Sequence, residues 1–169
     1  MKLRRMYEYR RNLPHLEKSD RAHFITFHTM GYRPLSPKAR DLVLACCLYP
    51  HGRKCRVHAV VVMPEHVHML LTPLRDDAGE SFTFAEILHP IKSVSAHRIN
   101  KLRREEGAVW QDESFDHVER SEESLDDKIE YLQQNPVRRG LASRAGQYKW
   151  LWVEAFDPRQ VPALRKRKT

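Results

Sequence analysis

The feature that most constrains the fold is a short turn between two strand-like segments in the middle of the chain. Residues 54–63 read KCRVHAVVVM and residues 66–72 read HVHMLLT, and only Pro64 and Glu65 lie between them. Both segments are rich in β-branched and other apolar residues, which favour extended strands. A two-residue connection can join only antiparallel neighbours, because parallel strands need a crossover of a dozen or more residues. The sequence therefore predicts an antiparallel β-hairpin.

The segments around this hairpin alternate between strand-like and helix-like patterns. In chain order they are a strand over 23–29, a helix over 37–49, the hairpin, a helix over 84–104 and a short strand over 115–120. Ser36 can cap the first helix, and we expect Pro90 to start or kink the second. The order β-α-β-β-α-β predicts an α+β, ferredoxin-like fold, in which helices pack on one face of an antiparallel sheet.

An additional C-terminal helix is expected after the sheet, and it carries a tyrosine. Ser121 opens this helix, with Ser124 as an alternative N-cap. The helix passes through Tyr131. It is predicted to end at Asn135, because a residue before proline, here Pro136, is pushed away from the α region.

Length and charge favour one basic globular domain. The chain has 169 residues, 41% of them hydrophobic, which is enough for one compact core. Its formal net charge of +8 favours a polyanionic partner such as nucleic acid. There is no run of eighteen apolar residues and no apolar signal segment, so we expect no membrane span and a cytoplasmic location. We predict a domain over 21–155, between a basic N-terminal extension (1–20) and a basic tail (156–169).

The cysteines do not predict a metal or disulfide site. Cys46, Cys47 and Cys55 are odd in number and lack the paired spacing of zinc ligands. We expect reduced, partly buried thiols.

Two histidines in the return strand of the hairpin are the first chemical signal. His66 and His68 are two residues apart, so in a strand they point to the same face, about 6.5–7 Å apart. Two imidazoles so placed can bind one divalent cation, but a third ligand must then come from elsewhere. The alternative is that both lie on a polar, solvated face of the sheet.

A tyrosine and an asparagine on the last helix are the second signal. Tyr131 and Asn135 are four residues apart and share a helix face. The phenol can serve as a nucleophile, and the amide oxygen can serve as the third metal ligand. The alternative is a half-buried aromatic residue followed by a helix C-cap.

Together the two signals resemble a known family. Residues 63–71, MPEHVHMLL, resemble the MP-x-HVH-LL hairpin of the HUH superfamily, in which U is a large apolar residue. Residues 131–141, YLQQNPVRRGL, resemble the Y-I-x-x-NPV-R-x-GL signature of the REP-associated tyrosine transposases. Shorter matches lie between them, at residues 91–93, 99–100, 109–111 and 115–118. The resemblance covers roughly residues 21–150.

The resemblance implies an activity, a cofactor and a partner. Family members are metal-dependent endonucleases and strand transferases that cut single-stranded DNA carrying a foldback hairpin, through a 5′-phosphotyrosine intermediate. It implies Mg2+ or Mn2+ bound by His66, His68 and Asn135, with Gln134 as an alternative third ligand, and Tyr131 as the nucleophile. It also implies a bacterial, nucleoid-associated protein that works as a monomer or as a homodimer exchanging the tyrosine helix.

Basic residues near these motifs are candidates for nucleic-acid binding. Lys92 and Arg98 lie on the second long helix, and Arg138 and Arg139 follow the tyrosine motif. Each is more often simply part of a solvated surface. Glu65 departs from the family pattern, which commonly has asparagine before the first histidine, and adds a negative charge beside the predicted metal.

Two other functions stay open at this level. One is a catalytically silent protein that binds DNA or RNA hairpins, although such a protein has no need of the predicted catalytic residues. The other is a metal-dependent RNA nuclease, although a tyrosine nucleophile gains little where a 2′-hydroxyl is available. His117 can approach the site from the short strand, but a structural role is favoured. No function is predicted for the remaining histidines, His28 among them.

Overall fold

A computed structural model describes residues 21–117 and 125–155 of the chain. The strands are β1 (His23–Thr29), β2 (Cys55–Val62), β3 (His66–Pro73), β4 (Trp110–His117) and β5 (Leu151–Val153), and the helices are α1 (Pro37–Leu48), α2 (Phe84–Arg103) and α3 (Leu125–Arg138). The predicted extension over 1–20, the tail over 156–169 and the caps at Ser121 and Ser124 lie outside the described residues. Within them, no helix is long and apolar enough to cross a bilayer.

The sheet has the predicted ferredoxin-like topology with one strand added. Its strand order is β4-β1-β3-β2-β5, and each neighbouring pair is antiparallel. The first four strands and the two helices between them confirm the predicted β-α-β-β-α-β order. β5 was not predicted. It extends the sheet beyond β2, where Trp152 pairs with Val60.

The two faces of the sheet carry different helices. Successive residues of a strand point to opposite faces, so Val67, Met69 and Leu71 of β3 pack under α1 and α2. Leu70 points the other way and packs against Leu132 of α3. The tyrosine helix therefore covers the face opposite the other two helices. Residues 66 and 68 alternate along β3 with the residues that pack under α1 and α2, so they also lie on the face covered by α3.

α2 begins at Phe84, as the predicted range over 84–104 has it, and Pro90 lies inside the helix. Thr83 caps the helix and accepts a hydrogen bond from the Glu86 N–H, and the Glu86 carboxylate accepts one from Thr83, so that Phe84 is the first helical residue. Pro90 cannot donate to the carbonyl of Glu86, four residues earlier. The Lys54 ammonium donates to that carbonyl instead, at 3.3 Å. The helix therefore does not start at the proline.

α3 runs past the residue at which it was predicted to end. The prediction of an end at Asn135 is wrong, because the helix continues to Arg138 with Pro136 buried inside it. A glycine cap ends the helix: Gly140 has a φ of 67°, and the Leu141 N–H donates to the Pro136 carbonyl at 2.8 Å. Burial of the proline and this cap together outweigh the local preference of the residue before proline.

β4 begins five residues before the predicted short strand. Its first residue, Trp110, is buried, packs edge-on against Phe27 with ring centroids 4.9 Å apart, and donates from Nε1 to the Ser95 hydroxyl at 2.9 Å. The start of β4 was not predicted because the residues that follow Trp110 are polar and lack a strand-like apolar pattern. The side chain of His117 lies outside the part of the structure that is described.

The three cysteines are free thiols, as expected, and they are buried rather than partly buried. Burial raises the pKa of the Cys55 thiol to about 12, and it also raises that of Cys46. Thiols of this kind are poor nucleophiles at neutral pH.

Candidate metal centre and active site

Two imidazole nitrogens on β3 are close enough to share a cation. The Nε2 atoms of His66 and His68 are 3.1 Å apart, on the sheet face that α3 covers. Two nitrogens bound at right angles to an octahedral cation at about 2.1 Å lie about 3 Å from each other. The spacing therefore fits two ligands of one metal ion, and both imidazoles are largely buried. The alternative of a solvated polar face is wrong, since His66 is only 7% exposed.

Each imidazole is held through its other nitrogen. His66 Nδ1 lies 3.2 Å from a carboxylate oxygen of Glu65, and His68 Nδ1 lies 2.7 Å from the Thr26 hydroxyl. A carboxylate only accepts hydrogen bonds, so His66 carries its proton on Nδ1 and keeps the lone pair on Nε2. Such outer partners fix the orientation of histidine ligands and increase their basicity.

Both imidazoles are neutral at neutral pH. Burial, together with the neighbouring His66, His28 and Arg138, lowers the pKa of His68 to about 3. Burial also lowers the pKa of His66, against the opposing charge of Glu65. A neutral imidazole offers a lone pair to a cation, whereas a protonated one would repel it.

Within the described residues, no acid, thiol or further histidine completes a three-ligand group with this pair. The amide oxygen of Asn135, on the facing helix, is the candidate for the third donor. It is an oxygen ligand of the kind that Mg2+ and Mn2+ accept.

Helix geometry favours Asn135 over its neighbour. Successive residues of a helix turn by about 100°. Asn135 is half-buried, between Tyr131 and the buried stripe formed by Leu132 and Pro136. Gln134 is exposed, on the side of Tyr131 that faces away from this stripe.

Tyr131 lies on the same face of the sheet as the two histidines. Its ring is 5.9 Å from that of Phe24, which in turn is 5.2 Å from the imidazole of His68. The Arg138 guanidinium lies over the tyrosine ring at 4.3 Å and donates to the Tyr131 carbonyl at 2.9 Å. The side chain of Tyr131 is 52% exposed, so a substrate can reach it.

The end of the tyrosine helix is linked to the histidine pair by an ion pair. Arg139 contacts the same Glu65 oxygen that binds His66, at 2.7 Å. Burial alone would raise the pKa of Glu65, but the hydrogen bond from Arg139 and the neighbouring His66 outweigh it, so the pKa is lowered. The carboxylate is therefore charged at neutral pH and joins α3 to β3.

We expect Glu65 and Arg139 to be energetically coupled. Because Arg139 is half exposed, the pair should contribute only about 0.5–1 kcal/mol to the free energy of unfolding. A double-mutant cycle of Glu65→Gln and Arg139→Gln, measured by urea denaturation with EDTA, would give this coupling energy. Glu130→Gln, an exposed acid on the same helix, is the control and should not couple with Arg139→Gln. Strictly additive effects of the first two substitutions would contradict the link.

Lys92 and Arg98 lie on the other side of the sheet. Both belong to α2, and the Lys92 ammonium donates to the carbonyls of Gln111 and Asp112 at 2.6 and 3.3 Å. Burial lowers the pKa of Lys92. A phosphate contact by Lys92 would have to compete with these hydrogen bonds. Arg98 is exposed on the same helix. Neither residue is brought to the histidine pair.

Three residues of β1 were not foreseen as part of the site. Phe24, Thr26 and His28 face the same way as the histidines of β3, with Thr26 opposite His68 and His28 opposite His66. The alternation of β1 is visible in the sequence and could have identified them as one face. Their pairing with β3 depends on the strand register, which is not visible there.

Comparison with known proteins supports the motif-based resemblance. No family model matches the chain. A curated Haemophilus influenzae protein, provisionally named REP-associated tyrosine transposase, is 23% identical over 87 residues, which is 48% of this chain and 49% of that protein. The solved structure of a REP-associated tyrosine transposase bound to a REP hairpin has a TM-score of 0.63 at 19% identity, and the match covers 83% of this chain and 79% of that one. The chain resembles the REP-associated tyrosine transposases.

The fold alone does not separate this family from others. A bacterial tRNA(His) guanylyltransferase-like protein in complex with GTP has a TM-score of 0.54 at 13% identity, covering 91% of this chain and 84% of that one. At such identities the likeness shows the fold only, and one fold can host unrelated chemistries. The chain spans about half the length of the curated transposase relative. The function must therefore be argued from the side chains of the site.

Proposed function

We propose that this chain is a metal-dependent endonuclease and strand transferase that acts on single-stranded DNA carrying a hairpin. The observation that carries the proposal is the pair of neutral imidazoles, with Nε2 atoms 3.1 Å apart, on the sheet face that the Tyr131 helix covers. A protein that only binds hairpins has no need of a buried, oriented histidine pair. In the absence of a cation the same spacing allows a hydrogen bond between the two rings, which a bound metal ion would replace.

His66, His68 and Asn135 would hold Mg2+ or Mn2+. When bound, the cation would polarise a non-bridging oxygen of the scissile phosphate and stabilise the charge that develops there. The chain itself orients the two imidazoles through Glu65 and Thr26. It also keeps bulk water from most of their surface.

Tyr131 is the proposed nucleophile. Its phenol oxygen forms a bond to phosphorus, the bond from phosphorus to the 3′ oxygen breaks, the phenol proton is released and the departing 3′ oxygen takes up a proton. The products are a free 3′-hydroxyl and a 5′-phosphotyrosine. The covalent bond conserves the phosphodiester energy, so another 3′-hydroxyl can reverse the step and join new ends. Arg138, over the tyrosine ring, places a positive charge where the phosphate would approach.

The surface around Tyr131 supports a DNA partner. Arg138 and Arg139 are exposed at the end of α3, and the net charge of the chain is +8. Phosphate contacts from such residues position a strand without specifying its sequence.

The proposal is tested by cleavage of a pool of labelled DNA hairpins whose single-stranded flanks are randomised. With Mg2+ or Mn2+ we expect shorter products that carry extendable 3′-hydroxyls, together with a DNA–protein adduct stable in a denaturing gel. EDTA should abolish both. An RNA hairpin pool is the matched substrate control. Binding of the DNA pool without cleavage or adduct in either metal would contradict the enzyme and favour a silent hairpin-binding protein. Cleavage of RNA alone would favour an RNA nuclease.

A further inference from the structure

An exposed aromatic side chain is separated from the histidine pair by the ring of His28. The Tyr32 ring is 61% exposed and stands edge-on to the ring of His28, with centroids 5.5 Å apart. The His28 ring is in turn 5.3 Å from that of His66, its partner across β1 and β3. A row of rings therefore runs from a candidate metal ligand to the solvent.

The backbone of Tyr32 is strained. Its φ is 54°, in the left-handed region that side chains other than glycine seldom adopt. Among the described residues, only one other non-glycine residue, Arg104, has a positive φ. Arg104 follows the last residue of α2, where this conformation is common. Tyr32 ends the tight turn Met30–Tyr32, in which Gly31 also has a positive φ of 61° and the Arg33 N–H donates to the Met30 carbonyl. This turn sets the left-handed backbone of Tyr32 and places its ring at the surface.

The segment that carries Tyr32 is tied on both sides to the turn between β2 and β3. The Thr29 N–H donates to the Glu65 carbonyl at 2.8 Å, and the Leu35 N–H donates to the Pro64 carbonyl at 2.6 Å. Glu65 is also the residue that binds His66. The position of the exposed ring is therefore fixed relative to the proposed metal centre.

We propose that Tyr32, backed by His28, is a stacking platform for the nucleobase that lies next to the scissile phosphate. This inference rests on the proposed function, because the base that stacks on Tyr32 would belong to the DNA substrate of that site. A single-stranded base presents a flat π-face that stacks on an exposed aromatic ring whatever its identity. A single ring that borders a phosphate-binding centre suits a base better than it suits a protein surface, which would need a larger apolar patch.

The test measures binding of short oligonucleotides in EDTA, so that no cleavage occurs. The probes are fluorescein-labelled (dT)12 and an abasic deoxyribose-phosphate oligomer of the same length. We expect Tyr32→Ala to bind (dT)12 about 10-fold more weakly and to bind the abasic oligomer as the parent does. Tyr32→Trp should bind (dT)12 at least as tightly as the parent. Tyr49→Ala is the matched control, since this exposed tyrosine lies at the end of α1, a helix on the other face of the sheet.

A glycine at the same position separates stacking from stability. Glycine relieves the left-handed strain, so Tyr32→Gly should melt at a higher temperature than Tyr32→Ala and still lose about 10-fold in affinity for (dT)12. The inference is overturned if Tyr32→Ala binds (dT)12 as tightly as the parent does, or if its affinity for the abasic oligomer falls by the same factor. Neither result would contradict the proposed cleavage of DNA by the parent protein. If the parent binds neither oligomer, the stacking site fails, whereas the proposed function is decided separately by cleavage of the hairpin DNA pool.

Discussion

Replacing Tyr131 with phenylalanine is expected to abolish cleavage and the DNA–protein adduct while leaving DNA binding within about 2-fold. The change removes one oxygen atom and keeps the ring that contacts Phe24 and Arg138. Because the side chain is half exposed, the substitution should leave the free energy of unfolding nearly unchanged. Loss of a covalent nucleophile typically costs several orders of magnitude, so single-turnover cleavage should fall by at least about 1,000-fold.

The control for Tyr131→Phe is Tyr49→Phe, which deletes the hydroxyl of another exposed tyrosine. That variant should cleave as the parent does. Both variants should bind labelled hairpin DNA in EDTA with parental affinity. Metal-dependent cleavage by Tyr131→Phe at a rate near that of the parent would place the nucleophile on another residue and would end the covalent proposal.

Replacing His68 with alanine is expected to remove the metal site. It deletes one of the two nitrogens that lie 3.1 Å apart, and it leaves too few ligands to hold Mn2+. We expect at least about 100-fold weaker Mn2+ binding by titration calorimetry, with parallel loss of cleavage. Asn135→Ala, which removes the proposed oxygen ligand, should weaken Mn2+ binding by about 10-fold, within the range seen when a metal site loses a supporting group.

Two controls separate loss of the ligand from loss of stability. His58→Ala removes a buried imidazole from β2. Its Nε2 lies 2.8 Å from the Thr72 hydroxyl, outside the site. The variant should have a lower melting temperature and still bind Mn2+ as the parent does. Gln134→Ala is the matched control for Asn135→Ala and should have little effect. Parental Mn2+ affinity in a folded His68→Ala variant would contradict the proposed centre.

Local pattern was sufficient to predict most of the secondary structure. The two-residue turn at Pro64 and Glu65 requires antiparallel neighbours, and the spacing of apolar residues distinguishes the helices from the strands. The predictions failed where burial overrode a local preference. Pro136 stays inside α3 because it is buried and a glycine cap follows it, and β4 begins at Trp110 because that ring fills the core.

The sequence by itself determined that His66 and His68 share one face of a strand and that Tyr131 and Asn135 share one face of a helix. These are short-range consequences of periods of two and about 3.6 residues. It also carried the two motifs on which the family resemblance rests. Both pairs lie in segments whose type was predicted correctly.

Only the tertiary structure decided which partners these residues meet. The register of β1 against β3 places Thr26 behind His68 and His28 beside His66. The packing of α3 on the face opposite α1 and α2 brings Arg139 to Glu65 and leaves Lys92 on the far side. Such contacts join residues far apart in the chain. They depend on how whole elements bury their apolar faces together, which local sequence periodicity does not encode.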